Sequence, residues 1–248
     1  MVNDDRVNGS FLSLKKYTDA RLAIGRTGTS IPVKESLAFN LAHAHARDAV
    51  YSALETERLI NELRQFNLPV ILVQSKAKNR EQYLQRPDLG RQLNDHANAE
   101  FLPFQPSDIC IVIADGLSAD AINKHAVKVL ELLIPKINAI NLKIAPITLI
   151  EQGRVAIADE AGYRLKAKLS LILIGERPGL SAADSMGAYL TFDPKPGLTD
   201  ESRNCVSNIR PEGLNLDAAA DKLFYLIREA LRMKLSGIGL KDQAGLLD

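Results

Sequence analysis

The spacing of hydrophobic positions changes along this chain. From Val33 to about Phe66 the steps are three or four residues. Leu37, Leu41, Ala44, Asp48, Tyr51 and Leu54 follow one another at that interval, with good helix formers between them, which predicts helix. Pro69 closes the region. Short, largely apolar runs follow: Val70–Val73, 108–115, Ile144–Ile150 and Leu169–Ile174. Runs of this length bounded by turns suit strands buried on both faces of a parallel sheet. Helical patterns lie between them. Ala121, Ile122, His125, Val129, Leu132 and Leu133 share one face. Near the end, Leu223, Leu226, Ile227, Ala230 and Leu231 form a stripe, with Asp217 placed to cap its start and Gly237 to stop it.

Strands alternating with helices predict an α/β fold. The most economical layout is a mostly helical N-terminal part, residues 1–100, followed by a Rossmann-like part, 101–248. The latter is expected to be a mainly parallel sheet with helices on both faces. Whether the short strand near Val70 joins the main sheet is left open. Ligands on such sheets bind outside the carboxyl ends of the strands, which marks the loops after Ala114, Ile150 and Ile174.

Composition narrows the function classes. The chain has 248 residues, enough to bury roughly 70–75% of its extended surface without disulfides or metals. Its 31 Lys+Arg and 30 Asp+Glu leave a net charge of +1, unlike a protein that tracks nucleic-acid phosphates. Two cysteines, Cys110 and Cys205, make no disulfide framework and no C-x-x-C pair. The first ten residues are polar, and Asp4, Asp5 and Arg6 lead into no apolar stretch, so no signal peptide is expected. Apolar runs such as Ile109–Ala114 and Leu171–Ile174 have strand length and fall far short of a membrane span. The chain reads as cytosolic and reduced.

Candidate chemistry is sparse. Phosphate-cradling glycine loops, the nucleophile-elbow motif and the H-E-x-x-H zinc motif are absent. His43 and His45 sit two apart and so point to different sides of a helix. They read as structural or solvated, as do His96 and His125. Cys110, inside an apolar run, reads as a buried small hydrophobe. Cys205 lies in a polar, loop-like stretch that leaves its role open. Asp115–Ala121 reads as a strand-to-helix turn in which Ser118 or Asp120 caps the helix, or else as a ligand-facing loop. Gly175–Leu180 follows the fourth strand and carries Glu176 and Arg177 into a sharp Pro-Gly turn at the ligand edge.

Six stretches in order carry a resemblance: Ala20–Arg26, Tyr83–Arg91, Asp115–Ser118, Gly153–Val155, Gly175–Leu180 and Asn204–Ile209. Together they resemble the small (light) subunit of ethanolamine ammonia-lyase along nearly the whole chain. The resemblance implies adenosylcobalamin as cofactor, held between this chain and a larger barrel-shaped subunit, in a higher hetero-oligomer expected to hold six of each chain. It implies a radical conversion of ethanolamine to acetaldehyde and ammonia, with substrate on the large subunit and no catalytic or metal-ligating residue on this one. The base-off signature D-x-H-x-x-G is missing, in keeping with a family that leaves cobalamin's own base on cobalt. Three cobalamin-contacting positions map to Val155, Glu176 and Cys205. Localisation is expected to be cytoplasmic, and in some relatives a longer N-terminal extension directs the protein into a bacterial microcompartment. The rival reading is a self-contained Rossmann-like nucleotide- or small-molecule-binding enzyme using Asp115, Ser118 and Glu176. A third is a non-catalytic scaffold in which Glu176 and Arg177 are only a turn.

Overall fold

The computed structural model describes residues 13–18, 20–101 and 104–241, without the side chains of 98 and 99. The expectations for the N-terminal ten residues lie outside these described residues. Continuous apolar runs become the strands. They are β1 (Val70–Gln74), β2 (Ser107–Ala114), β3 (Ile147–Glu151), β4 (Ala167–Gly175), β5 (Met186–Phe192) and β6 (Arg203–Ile209). Among the described residues these α-helices accompany them: α1 (Val33–Tyr51), α2 (Thr56–Leu63), α3 (Arg80–Gln85), α4 (Ala119–Ala139), α5 (Ile157–Arg164) and α6 (Leu216–Met233).

One six-stranded sheet runs in the order β1-β3-β2-β4-β5-β6. The strand near Val70 belongs to it, pairing with β3 at an edge. The pairs among β1, β3, β2 and β4 are parallel, whereas β4–β5 and β5–β6 are antiparallel. Among the described residues the sheet is therefore mixed, with three parallel pairings and two antiparallel ones at the β5–β6 end. Both antiparallel strands escaped the apolar pattern. In β6 only Arg203, Val206 and Ile209 are buried, three residues apart and not two. A register shift at Met186/Ala188 breaks the alternation that would have marked a strand.

Alternate residues of β2 feed two cores. Ile109, Ile111 and Ile113 pack with α2, α4 and α6 on one face, and Cys110, Val112 and Ala114 with α5 and the Leu93–Ala97 segment on the other. Each large apolar side chain so buried contributes roughly 1.5–3 kcal/mol. Ser118 caps α4, its Oγ accepting from the Ala121 amide and donating to the Ala183 carbonyl. The α6 cap is Asn215, not Asp217, and left-handed Lys234 ends that helix ahead of Gly237.

The helical stretch 33–66 is broken, because Ser52 turns to extended backbone between α1 and α2. The side chain of Ser52 donates back to Ala49 O and accepts from the amide of Asp120, tying the break to the start of α4. Along α1 the apolar stripe is exposed: Leu37 and Leu41 are 63% and 59% accessible, and only Ala49 is buried. Periodicity identified the helix, but it carried no information about what covers it. Among the described residues no helix is long and apolar enough to cross a membrane.

Candidate functional site

The carboxyl ends of β2, β3 and β4 bring three loops together, and Asp115 is the knot between them. It is buried, and its carboxylate accepts from the amides of Gln152 (3.0 Å) and Gly153 (3.1 Å). Arg80 lies 3.7 Å away. Burial pushes the Asp115 carboxyl up to about 6, against the opposing pull of Arg80 and the amides. The loop after β2 also packs on the end of β4. The amide of Leu117 donates to Gly175 O at 2.8 Å. A Cβ at Gly175 would stand 2.0 Å from Ser118 O, so only glycine allows this approach.

The raised pKa of Asp115 has a testable consequence. Its folded-state pKa, near 6, lies above the ordinary value of 3.8. The stabilisation linked to it is complete below about pH 4 and is lost as pH rises through 6. The thermal midpoint of the wild type relative to Asp115→Asn is expected to fall between about pH 4 and 6.5 and to level off above. Parallel midpoint curves across that range would show that Asp115 does not titrate there.

Arg80 comes from α3, downstream of the edge strand β1, and connects the loops. Nε donates to Val50 O at 2.6 Å, and Nη1 to Gly116 O at 2.7 Å and Gln152 Oε1 at 3.5 Å. Its guanidinium lies 4.7 Å from the centre of the Tyr83 ring, and that of Arg154 lies 4.2 Å from the same centre. Tyr83 is buried and donates to Gly153 O at 3.3 Å. Burial raises its phenol pKa, so it stays neutral. Two cations therefore stack on one aromatic ring at the edge of the sheet.

The three residues singled out from the sequence meet here. A cleft of about 400 Å³ is lined by Val155, Glu176, Arg177, Leu117 and Tyr189. A second hollow of about 320 Å³ is lined by Val155, Tyr189, Cys205, Arg91, Arg154 and Arg203. The two share Val155, Arg154 and Tyr189, so Glu176 and Cys205 stand on opposite sides of a common wall. Cys205 is on strand β6, paired with Tyr189 of β5, which corrects its assignment to a loop. Cys205 is exposed at its residue surface, but partial desolvation of the thiol and the nearby Glu176 charge raise its pKa against the opposing hydrogen bond with Tyr189, which disfavours a reactive thiolate.

Glu176 has one committed oxygen. Oε2 accepts from Ser185 Oγ at 2.5 Å and from the Asn208 amide at 3.1 Å. Oε1 has no hydrogen-bond partner among the described residues and passes close over Gly187, where a Cβ would come within 3.0 Å of it. Arg177 is exposed and forms no ion pair with Glu176 among the described residues.

The remaining sequence candidates lie elsewhere. Cys110 is fully buried in β2, with its thiol pushed up to about 12 by desolvation. His43 and His45 are exposed on α1, His43 stacking on Phe39. His96 is exposed. His125 is buried 3.6 Å from Asp184, and burial lowers its pKa. A separate hollow of about 470 Å³ between α1 and α4 holds Asp48, Asp120, Lys124 and Asp184 but none of the three site residues. Sequence reasoning gave no role to Arg80, Tyr83, Arg91 or Arg203. The signal that finds the first three is β1 itself, because a sheet strand at Val70–Gln74 puts the segment after it at the same ligand edge.

The family described as ethanolamine ammonia-lyase light chain matches residues 8–241. An ethanolamine ammonia-lyase small subunit from Azotobacter vinelandii is 50% identical over 236 residues, covering 93% of this chain and 87% of that protein. One from Pseudomonas fluorescens is 48% identical, with 97% and 88% covered. Another from Ralstonia nicotianae is 50% identical, with 94% and 88% covered.

Proposed function

The chain belongs to the ethanolamine ammonia-lyase light-chain family, and on that premise we propose that its cleft holds adenosylcobalamin against a larger, barrel-shaped catalytic subunit. In this reading β2, β3 and β4 with helices on both faces are the Rossmann-like part of the chain, 101–248, and the mostly helical part, 1–100, adds the edge strand β1 to their sheet. The assembled hetero-oligomer converts ethanolamine to acetaldehyde and ammonia, with six copies of each chain expected. Its place is the cytoplasm, free or within a microcompartment.

The observation that carries the reading is the convergence of Val155, Glu176 and Cys205 around Tyr189 at the carboxyl edge of the sheet. The chemistry of these groups suits a corrin rim. Such a rim carries neutral amide arms, whose N–H groups need acceptors and whose oxygens need donors. Glu176 Oε1 offers an acceptor, while the guanidinium of exposed Arg177, lining the same cleft, offers donors. Val155 and the face of Tyr189 supply apolar surface. When bound, the cofactor supplies the radical chemistry. This chain's residues hold and orient, and none is assigned a proton transfer. Asp115 and Arg80 keep the three loops in register so that Val155 and Glu176 stay aimed at one volume.

A pull-down of the complex followed by a visible absorption spectrum tests this. Cobalamin is expected to be retained by the complex of both subunits, and the purified chain alone is expected to show no ethanolamine deamination with added adenosylcobalamin. Turnover by this chain without a partner would overturn the subunit role. A complex active yet indifferent to this chain's presence would overturn the cofactor-holding role.

A further inference from the structure

The hollow behind Val155 holds more cationic chemistry than neutral amide arms require. Arg91, Arg154 and Arg203 all line it, yet they differ in what their charges already meet. Arg203 is committed. It pairs with buried Asp159, and its Nη1 donates to Thr199 O at 2.5 Å and Asp200 Oδ1 at 3.2 Å. It fixes the 198–200 wall and spends its charge there. On the neighbouring wall, Glu160 is paired with Arg164 at 2.5 Å.

Arg91 and Arg154 are not spent. The Arg91 side chain makes no hydrogen bond or ion pair among the described residues. Arg154 stacks on Tyr83 and donates from Nη2 to Tyr83 O at 3.1 Å, but its Nε is buried with no partner and no carboxylate faces it within salt-bridge distance. The two are tied together locally. The Arg154 amide donates to Gly90 O at 2.7 Å, and a Cβ at Gly90 would meet Arg154 Cγ at 2.7 Å. Gly90 thus lets the Arg154 stem pass against the turn that carries Arg91. Asp200 lines the same hollow and shares Arg203 with Asp159, so the lining keeps an excess of one positive charge, and two guanidinium forks with no carboxylate of their own are a receptor for a planar or tetrahedral oxyanion.

We infer that Arg91 and Arg154 form an anion subsite that receives a phosphodiester, the one permanent negative charge on the nucleotide arm of a cobalamin. This rests on the cobalamin reading above and specifies which part of the molecule faces which wall. Glu176 and Val155 take the amide rim, and the arginines take the phosphate. Arg203 is a positioning residue that builds the wall without donating to the ligand.

Cobinamide, which keeps the corrin and amide arms but lacks the phosphate, ribose and base, provides the test. Affinity is read by equilibrium dialysis with visible absorption on the assembled two-subunit complex. Arg154→Met keeps the apolar stem over Tyr83 and removes the fork. It is expected to weaken cobalamin binding roughly tenfold or more, by loss of a charge-assisted bond, and to change cobinamide binding less than about twofold. Arg91→Gln, at an exposed and unpaired residue, should fold normally and weaken cobalamin alone about three- to tenfold. Equal losses for both corrinoids would show that the arginines only shape the cleft and would overturn the subsite. No loss for either would also overturn it, including the case of a site serving free phosphate. If the wild-type complex retains neither corrinoid, the cobalamin reading itself falls, and the subsite with it.

Discussion

Replacing Arg203 with Leu is expected to lower the thermal midpoint by roughly 6–20 °C. The side chains of Arg203 and Asp159 are each 2% exposed, and they join β6 to α5. Burial already pushes the Asp159 carboxyl upward, with Arg203 pulling it back. Removing one partner of a buried pair costs about 3–5 kcal/mol, because the other charge is left without compensation. For a chain of this size each kcal/mol moves the midpoint by about 2–4 °C. Arg203 also donates to Thr199 O and Leu198 O, so the wall of the hollow loosens at the same time. Two controls separate the charge from the packing. The double variant Arg203→Leu/Asp159→Leu should recover much of the loss, since it buries no lone charge. The single variant's deficit should shrink toward acid pH, because the stranded carboxyl relieves its cost by taking up a proton. A single variant within about 2 °C of wild type at pH 7.5 would show that the pair contributes little beyond its own desolvation.

The same residue illustrates what sequence could and could not reveal. A run such as Ile109-Cys110-Ile111-Val112-Ile113-Ala114 is buried on both faces and announces a central strand by composition alone. Arg203–Ile209 does not. Its first buried residue is an arginine, acceptable inside only because Asp159 arrives from a helix 44 residues earlier in the chain. No local pattern encodes that meeting. The α1 stripe shows the converse limit: Leu37 and Leu41 carry a clear helical period but lie on the surface of this chain, since periodicity reports a face and not its partner. Within the site, Asp115 and Glu176 were reachable because they follow apolar strands at the ligand edge. The loop after Ile150 was marked by the same rule, and resemblance picked out Val155 within it and Cys205 beyond it. Arg80, Tyr83 and Arg91 depended on whether β1 joined the sheet, and a five-residue edge strand carries too weak a signal to decide that.

Glu176 is where the fold and the proposed site compete for one side chain, and two substitutions separate their claims. Its Oε2 holds Ser185 Oγ and the Asn208 amide, tying the loop after β4 to the end of β6. Glu176→Ala removes both bonds. Hydrogen bonds to a charged group contribute roughly 1.5–3 kcal/mol when sheltered, and partial exposure of this residue discounts that. A midpoint loss of about 2–6 °C is the expected result. The same substitution removes Oε1, the free acceptor over Gly187, so cobalamin affinity in the assembled complex should fall about 10- to 150-fold. Glu176→Gln isolates the charge. Its amide oxygen can occupy the Oε2 position and keep both internal donors, so the midpoint should stay within about 1–2 °C of wild type. The amide nitrogen then sits where Oε1 was, a donor in place of an acceptor, and affinity should still drop by about tenfold. The informative comparison is therefore Gln against Ala and not either against wild type alone. A Gln variant with wild-type affinity and an Ala variant with a lowered midpoint would show that Glu176 belongs to the fold and takes no part in holding the corrin.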